Sequence, residues 1–148
     1  MAAPKNVPTI HKVRHEADNL TLILLNYQEQ LVSQAPQLNC DDRCKFLMSA
    51  APEHIGPVLR NLNQCIQYGW DEKRDTTLQE ELVKMETWMD LLTSLMNQNK
   101  MEKTSIYDLH LDTRNTEAKF FILRSEYAGW HYHGQVPLGD INPFLIKI

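Results

Sequence analysis

The stretch Thr76–Met96, TTLQEELVKMETWMDLLTSLM, decides the fold. Leu78, Leu82, Met85, Met89, Leu92 and Met96 recur at spacings of four, three, four, three and four. On a helix that rhythm keeps one apolar seam facing one way for about five turns. Trp88, Leu91 and Leu95 widen the seam, which suits a multi-helix bundle better than a two-stranded coiled coil. Glu80, Glu81, Lys84, Glu86 and Asp90 fall on the other side. Thr76 with Gln79, or Thr77 with Glu80, reads as a capping box that opens the helix.

A second seam lies near the start of the chain. Ile10, Val13, Ala17, Leu20, Leu24, Tyr27 and Leu31 alternate at three and four. Thr9 is placed to cap this helix, and Pro36 to end it, because the residue before a proline avoids the helical region. The expectation is a helix over about 9–35, after a loose arm at 1–8 that holds Pro4 and Pro8. Between the two long helices, Asp41 or Asp42 can cap a short helix over 43–51, closed by Pro52. Ile55, Leu59, Leu62 and Ile66 predict another over 53–68, interrupted at Gly56–Pro57 and ended at Gly69 in the left-handed conformation.

Beyond residue 103 the period changes to two. Tyr107, Leu109 and Leu111 alternate with Asp108, His110 and Asp112. Phe120–Leu123 is a short apolar run, Trp130 and Tyr132 alternate with His131 and His133, and Phe144, Ile146 and Ile148 share one side. That pattern predicts a small antiparallel sheet. The expected fold class is therefore mainly α, of α+β type: an irregular helical bundle over 9–102 with two long heptad-patterned helices, and a β-rich part over 103–148 docked on it.

With 148 residues and 43% apolar content the chain can bury a real core. Its net charge of −4 is unevenly placed: residues 71–102 hold eight acidic and four basic side chains, while 1–70 and 103–148 each balance. No basic cluster exceeds Lys73–Arg74, which argues against a nucleic-acid binder. There is no apolar run of membrane-spanning length. Three cysteines and an N-terminus without the apolar core of a secretory signal predict reduced thiols and an intracellular, cytoplasmic or nuclear, setting.

Two constellations bear on chemistry. On strands, Asp108, His110 and Asp112 would share a face, as would His131 and His133, and imidazole with carboxylate suits zinc or another divalent metal. Cys40 and Cys44, four apart, permit a zinc site with the same two histidines. A solvated strand face and an ordinary buried cysteine are the simpler explanations. Cys65 falls near the Leu62–Ile66 seam as core, and His11 and His15 fall on one solvated face. No phosphate-binding glycine loop, GxSxG, HExxH or GxGxxG is present.

The sequence thus favours a non-enzymatic adaptor, regulator or assembly subunit without a cofactor. It would act on a protein partner or a second copy of itself through apolar helix faces, with Met85, Trp88, Met89, Leu92, Met96, Phe144 and Ile146 as candidate contact residues. The alternatives are a small metal-dependent enzyme built on Asp108, His110, Asp112, His131 and His133, and, third, a nucleic-acid-binding regulator.

Overall fold

A computed structural model describes residues 7–134. Four long helices and one short one follow in order: α1 (Ile10–Gln34), α2 (Asp42–Ser49), α3 (Ala51–Tyr68), α4 (Glu72–Gln98) and α5 (Ser105–His133), with a single 3₁₀ turn at Ala35–Gln37. Helix α1 packs against α3 and α5, and α4 packs against the same two. The pairings Arg14–Ile66, Glu16–Lys119 and Asp75–Arg124 run opposite ways along their helices. The result is an up-down-up-down four-helix bundle with α1 and α4 on one diagonal, and α2 laid across α4 at one end.

Each end has a local cause. The Thr9 hydroxyl accepts the Lys12 N–H at 3.2 Å and opens α1 as its N-cap. Asp41 and Asp71 do the same for α2 and α4, at 2.9 Å from the Cys44 nitrogen and 2.8 Å from the Arg74 nitrogen. Helix α4 therefore starts a turn before the expected capping box. The Thr76 and Thr77 hydroxyls instead donate back to the Glu72 and Lys73 carbonyls, at 2.8 Å and 3.1 Å, as threonine does inside a helix. Pro52 does not close α2; it stands in the first turn of α3, where its missing N–H costs nothing. Pro57 is carried inside α3. Gly69 ends α3 at φ 103°, ψ 153°, outside the expected left-handed helical region yet equally a place for glycine. Helix α4 is closed just past its end by Lys100, whose φ is 56°. The Met101 N–H there reaches the Met96 carbonyl at 3.0 Å, which closes a Schellman turn.

The expected sheet does not form over residues 104–134, and there is no strand among the described residues; Phe144–Ile148 lies outside them. Instead the Thr104 hydroxyl accepts the Tyr107 N–H at 3.2 Å and starts α5, the longest helix at 29 residues. Its buried positions include Ile106, His110, Thr113, Glu117, Phe120 and Arg124, spaced four, three, four, three and four. This is the same heptad rhythm as in α1 and α4, with polar side chains at four of the six positions. The period of two in Tyr107–Asp112 is a coincidence of composition. In the Phe120–Leu123 run, Phe120 faces the core while Phe121, Ile122 and Leu123 are half-buried around the helix. Residues 103–134 are thus the fourth wall of the bundle, not a separate β-rich part.

The polar wall is accommodated by partners. Arg124 grips Asp75 bidentately, Nε to Oδ1 at 2.9 Å and Nη2 to Oδ2 at 2.6 Å, with both side chains 3% exposed. Trp70 Nε1 donates to the same carboxylate at 3.1 Å. The Arg124 guanidinium also lies 5.3 Å from the centre of the Phe121 ring, a cation–π contact.

The core carries two tests. Leu24 and Leu82 are fully buried, so Leu24→Ala or Leu82→Ala should each lower the unfolding free energy by about 2–5 kcal/mol in urea denaturation. Arg124→Met strands the Asp75 carboxylate and should cost about 3–5 kcal/mol, whereas adding Asp75→Leu should restore most of the loss.

Candidate functional site

The most exposed apolar side chains with walls around them lie where α2 crosses α4. Three contacts fix that crossing. The Trp88 indole N–H donates to the Leu47 carbonyl at 3.1 Å, the Asp41 N–H donates to Asn99 Oδ1 at 2.8 Å, and Asp41 caps α2. The Cys44 N–H on the Asp41 carboxylate holds that group below its usual pKa range, since the bond favours the charged form. Helix α2 has only eight residues and turns Cys44 and Met48 inward. Phe46 consequently points out, 72% exposed, beside half-buried Leu47. From α4, Leu91 comes up 52% exposed, next to Leu95. With Asp42 and Arg43 these residues line an open trough of about 560 Å³.

Behind the trough, the bundle interior carries a chain of polar groups. Tyr27 and His110 are fully buried, and the tyrosine hydroxyl meets His110 Nδ1. His110 Nε2 lies 2.6 Å from the Thr93 hydroxyl, which also donates to the Met89 carbonyl at 2.8 Å and accepts from Arg114 Nη1 at 2.7 Å. Arg114 closes the chain on Asp90. Since the only threonine proton goes to Met89, the proton between threonine and histidine belongs to Nε2, and Nδ1 accepts from Tyr27. Burial, reinforced by Arg114, depresses His110 to about 4, so the ring is neutral near pH 7. Burial pushes the Tyr27 phenol well above its ordinary range. Each proton in the chain has an acceptor, and neither ring is exposed, so the network locks α1, α4 and α5 in register rather than presenting a reactive group. Its outer end, Asp90 and Arg114, lines a mixed polar and apolar groove of about 700 Å³ between α4 and α5.

The residues singled out by sequence fall in other places. Met85, Trp88, Met89, Leu92 and Met96 are all within 3% of full burial, inside the chain's own core. Phe144 and Ile146 lie outside the described residues. Asp108 and Asp112 are exposed on α5 while His110 between them is buried, because a step of two on a helix turns a side chain to nearly the opposite face. His131 and His133 are both exposed in the last turn of the same helix, where neither meets those aspartates. Tyr132, between them, bonds the Trp70 carbonyl at 3.1 Å. Cys40 and Cys44 sit by the opposite end of the 27-residue α4, roughly 40 Å away at the helical rise per residue. Among the described residues, no three His, Cys, Asp or Glu side chains stand close enough to hold a metal ion. None of their helices is long and apolar enough to cross a membrane. Trp88 and Leu95 do widen the seam of α4, but Leu91, expected to do the same, is 52% exposed, and with Phe46 it is a surface residue that the sequence did not mark.

Compared with known protein families, curated proteins and solved structures, the chain matches none.

The neutral His110 makes stability depend on pH. Its folded value, about 4, lies below its ordinary 6.5, so between those values the unfolded chain binds more protons. This group's contribution is full above pH 6.5 and is lost as pH falls to 4, on the order of 3 kcal/mol in all. Urea denaturation from pH 7 to 4 should show that loss in the native chain and not in His110→Gln, the difference between the two isolating this residue.

Proposed function

We propose that this chain is a non-enzymatic protein-binding module, an adaptor or assembly subunit that holds an amphipathic helix of a basic partner in the trough between α2 and α4. The observation that carries this reading is the pair Phe46 and Leu91, 72% and 52% exposed on the walls of one apolar concavity. Covering either side chain fully is worth roughly 1.5–3 kcal/mol, the scale of an interface hot spot. A trough bounded by two helices suits a third helix laid along it. The sign of the partner's charge comes from residues 71–102, with their excess of four negative charges. Glu80 is solvent-facing and the Asp90 side chain is 64% exposed.

Self-association through the two long seams has lost its motive, because both seams are covered within one core. The trough is an apolar concavity that those seams leave open among the described residues.

A photo-reactive amino acid placed at Leu91 of the full chain in its native cells should capture the partner. The captured protein, purified, should lose affinity for Phe46→Glu by roughly 100-fold while the variant's melting temperature stays unchanged. Raising salt should weaken binding mainly through a slower association rate. Unchanged affinity of Phe46→Glu for that protein would refute the reading. Cross-links formed only between copies of this chain would replace the basic partner with a second copy.

A further inference from the structure

We propose that the groove between α4 and α5 is the seat of this chain's own residues 141–148, INPFLIKI. The inference does not rest on the docking trough, which α4 forms with α2 instead.

The groove has two characters. Leu111, 39% exposed, and half-buried Ala118 and Phe121 give it an apolar wall on α5. Glu86 and Asp90 on α4 and Glu117 on α5 set three carboxylates against the one guanidinium of Arg114. Such a surface selects an occupant that is mostly aliphatic and carries a positive charge. Residues 141–148 have that composition. Ile141, Phe144, Leu145, Ile146 and Ile148 are apolar, and Lys147 is the only charged side chain. A run so apolar gains by leaving water. Asp90 holds Arg114 yet keeps its side chain 64% exposed, so a carboxylate edge remains for Lys147.

Reach and direction favour this groove. Gly134 ends α5 at φ 62°, ψ 24°, with its N–H on the Gly129 carbonyl, and a left-handed cap of this kind turns the chain off the helix axis. Back along α5 from Gly134, Phe121 lies roughly 20 Å away, Arg114 roughly 30 Å and Leu111 roughly 35 Å at the helical rise. Counted forward from Gly134, residue 144 can reach about 33–36 Å and residue 148 about 46–50 Å. Phe144 and the residues after it therefore come level with Arg114 and Leu111. On the other side of α5 the seam with α1 is bridged, Lys119 to Glu16 at 3.3 Å. The trough is too far. Arg124 is level with Asp75, which puts Leu91 roughly 40 Å from Gly134 along the bundle, beyond the reach of Phe144.

Seated in the groove, the segment covers the outer end of the polar chain that runs from Tyr27 through His110 and Thr93 to Arg114 and Asp90. Excluding water there strengthens the Arg114–Asp90 pair.

The test is nuclear Overhauser contact in the full chain with isoleucine and leucine methyls labelled. The Ile146 and Ile148 methyls should show contacts to Leu111 and to the Phe121 ring. Ile146→Glu should abolish them, and Lys147→Glu should weaken them, while the methyl signals of the core residues Leu24 and Leu82 stay in place and report an intact fold. Combining Lys147→Glu with Glu86→Lys should bring the contacts back, since the swap restores the pair. Absence of segment-to-groove contacts in the native chain would overturn the inference, as would Lys147→Glu leaving them at full strength. So would contacts seen only between labelled and unlabelled copies in a mixed sample, which would give the groove to a second copy of the chain.

Discussion

A helix whose core-facing side carries His110, Thr113 and Arg124 can be buried only if those groups find partners inside. The fold depends on that constraint. Asp75 is placed one turn into α4 so that Arg124 closes on it, and the same carboxylate takes the Trp70 indole. Tyr27 from α1 and Thr93 from α4 meet the two nitrogens of His110. An apolar interface between helices tolerates sliding by a heptad, because leucine meets leucine either way. These pairings do not: a shift of one turn would leave a buried carboxylate facing aliphatic carbon, at a cost of several kcal/mol. The polar seam therefore sets the register of α5 against α1 and α4, and the apolar seams supply the bulk of the driving force.

The same constraint explains what could be read from sequence. The helices α1 and α4 were legible because their core positions are nearly all apolar, so the heptad rhythm stands out from Ile10 to Leu31 and from Leu78 to Met96. The caps Thr9 and Asp41 and the shorter α3 seam were legible for local reasons of the same kind. Helix α5 was not, since apolarity marks a core position only when the partner is also apolar. His110 is core because Tyr27 and Thr93 are there, 83 and 17 residues away. No local window contains that information. With the true seam disguised, chance alternation at Tyr107–Leu111 and the Phe120–Leu123 run supplied a false period of two.

The trough was hidden for the complementary reason. Sequence rhythm identifies the inner side of a helix, so Met85, Met89 and Met96, which are core, stood out as contact residues. Phe46 belongs to no rhythm, and Leu91 reads in sequence as an extension of the inner seam. Their meaning comes from the crossing of α2 over α4, and that crossing is fixed by an indole N–H on the Leu47 carbonyl and by Asn99 on Asp41. Helix α2 is only eight residues long, too few to turn every apolar side chain inward. With Cys44 and Met48 spent on the core, Phe46 is left over, and it comes to rest beside the one exposed leucine of α4.

Exposed apolar residues are common. Helix α1 carries its own in Leu22, Leu25 and Val32, at 68%, 48% and 42% exposure. What separates the trough from these is shape. Leu22, Leu25 and Val32 lie along the convex side of a single helix, where a partner touches each side chain from one direction. The groove beside Leu22, about 340 Å³ between α1 and α3, is interrupted by Asp18, Thr21 and Asn63. A partner would have to replace their hydration bond for bond. Between α2 and α4 the walls themselves are apolar: Phe46 and Leu47 stand on one side, Leu91 and Leu95 on the other, and the charges of Asp42 and Arg43 come from the N-terminal turn of α2. A side chain entering there loses water on several sides at once and meets carbon on each. The gain per residue is accordingly larger in the concave trough than on the flank of α1, and the proposed recognition through α2, the shortest helix, rests on that difference.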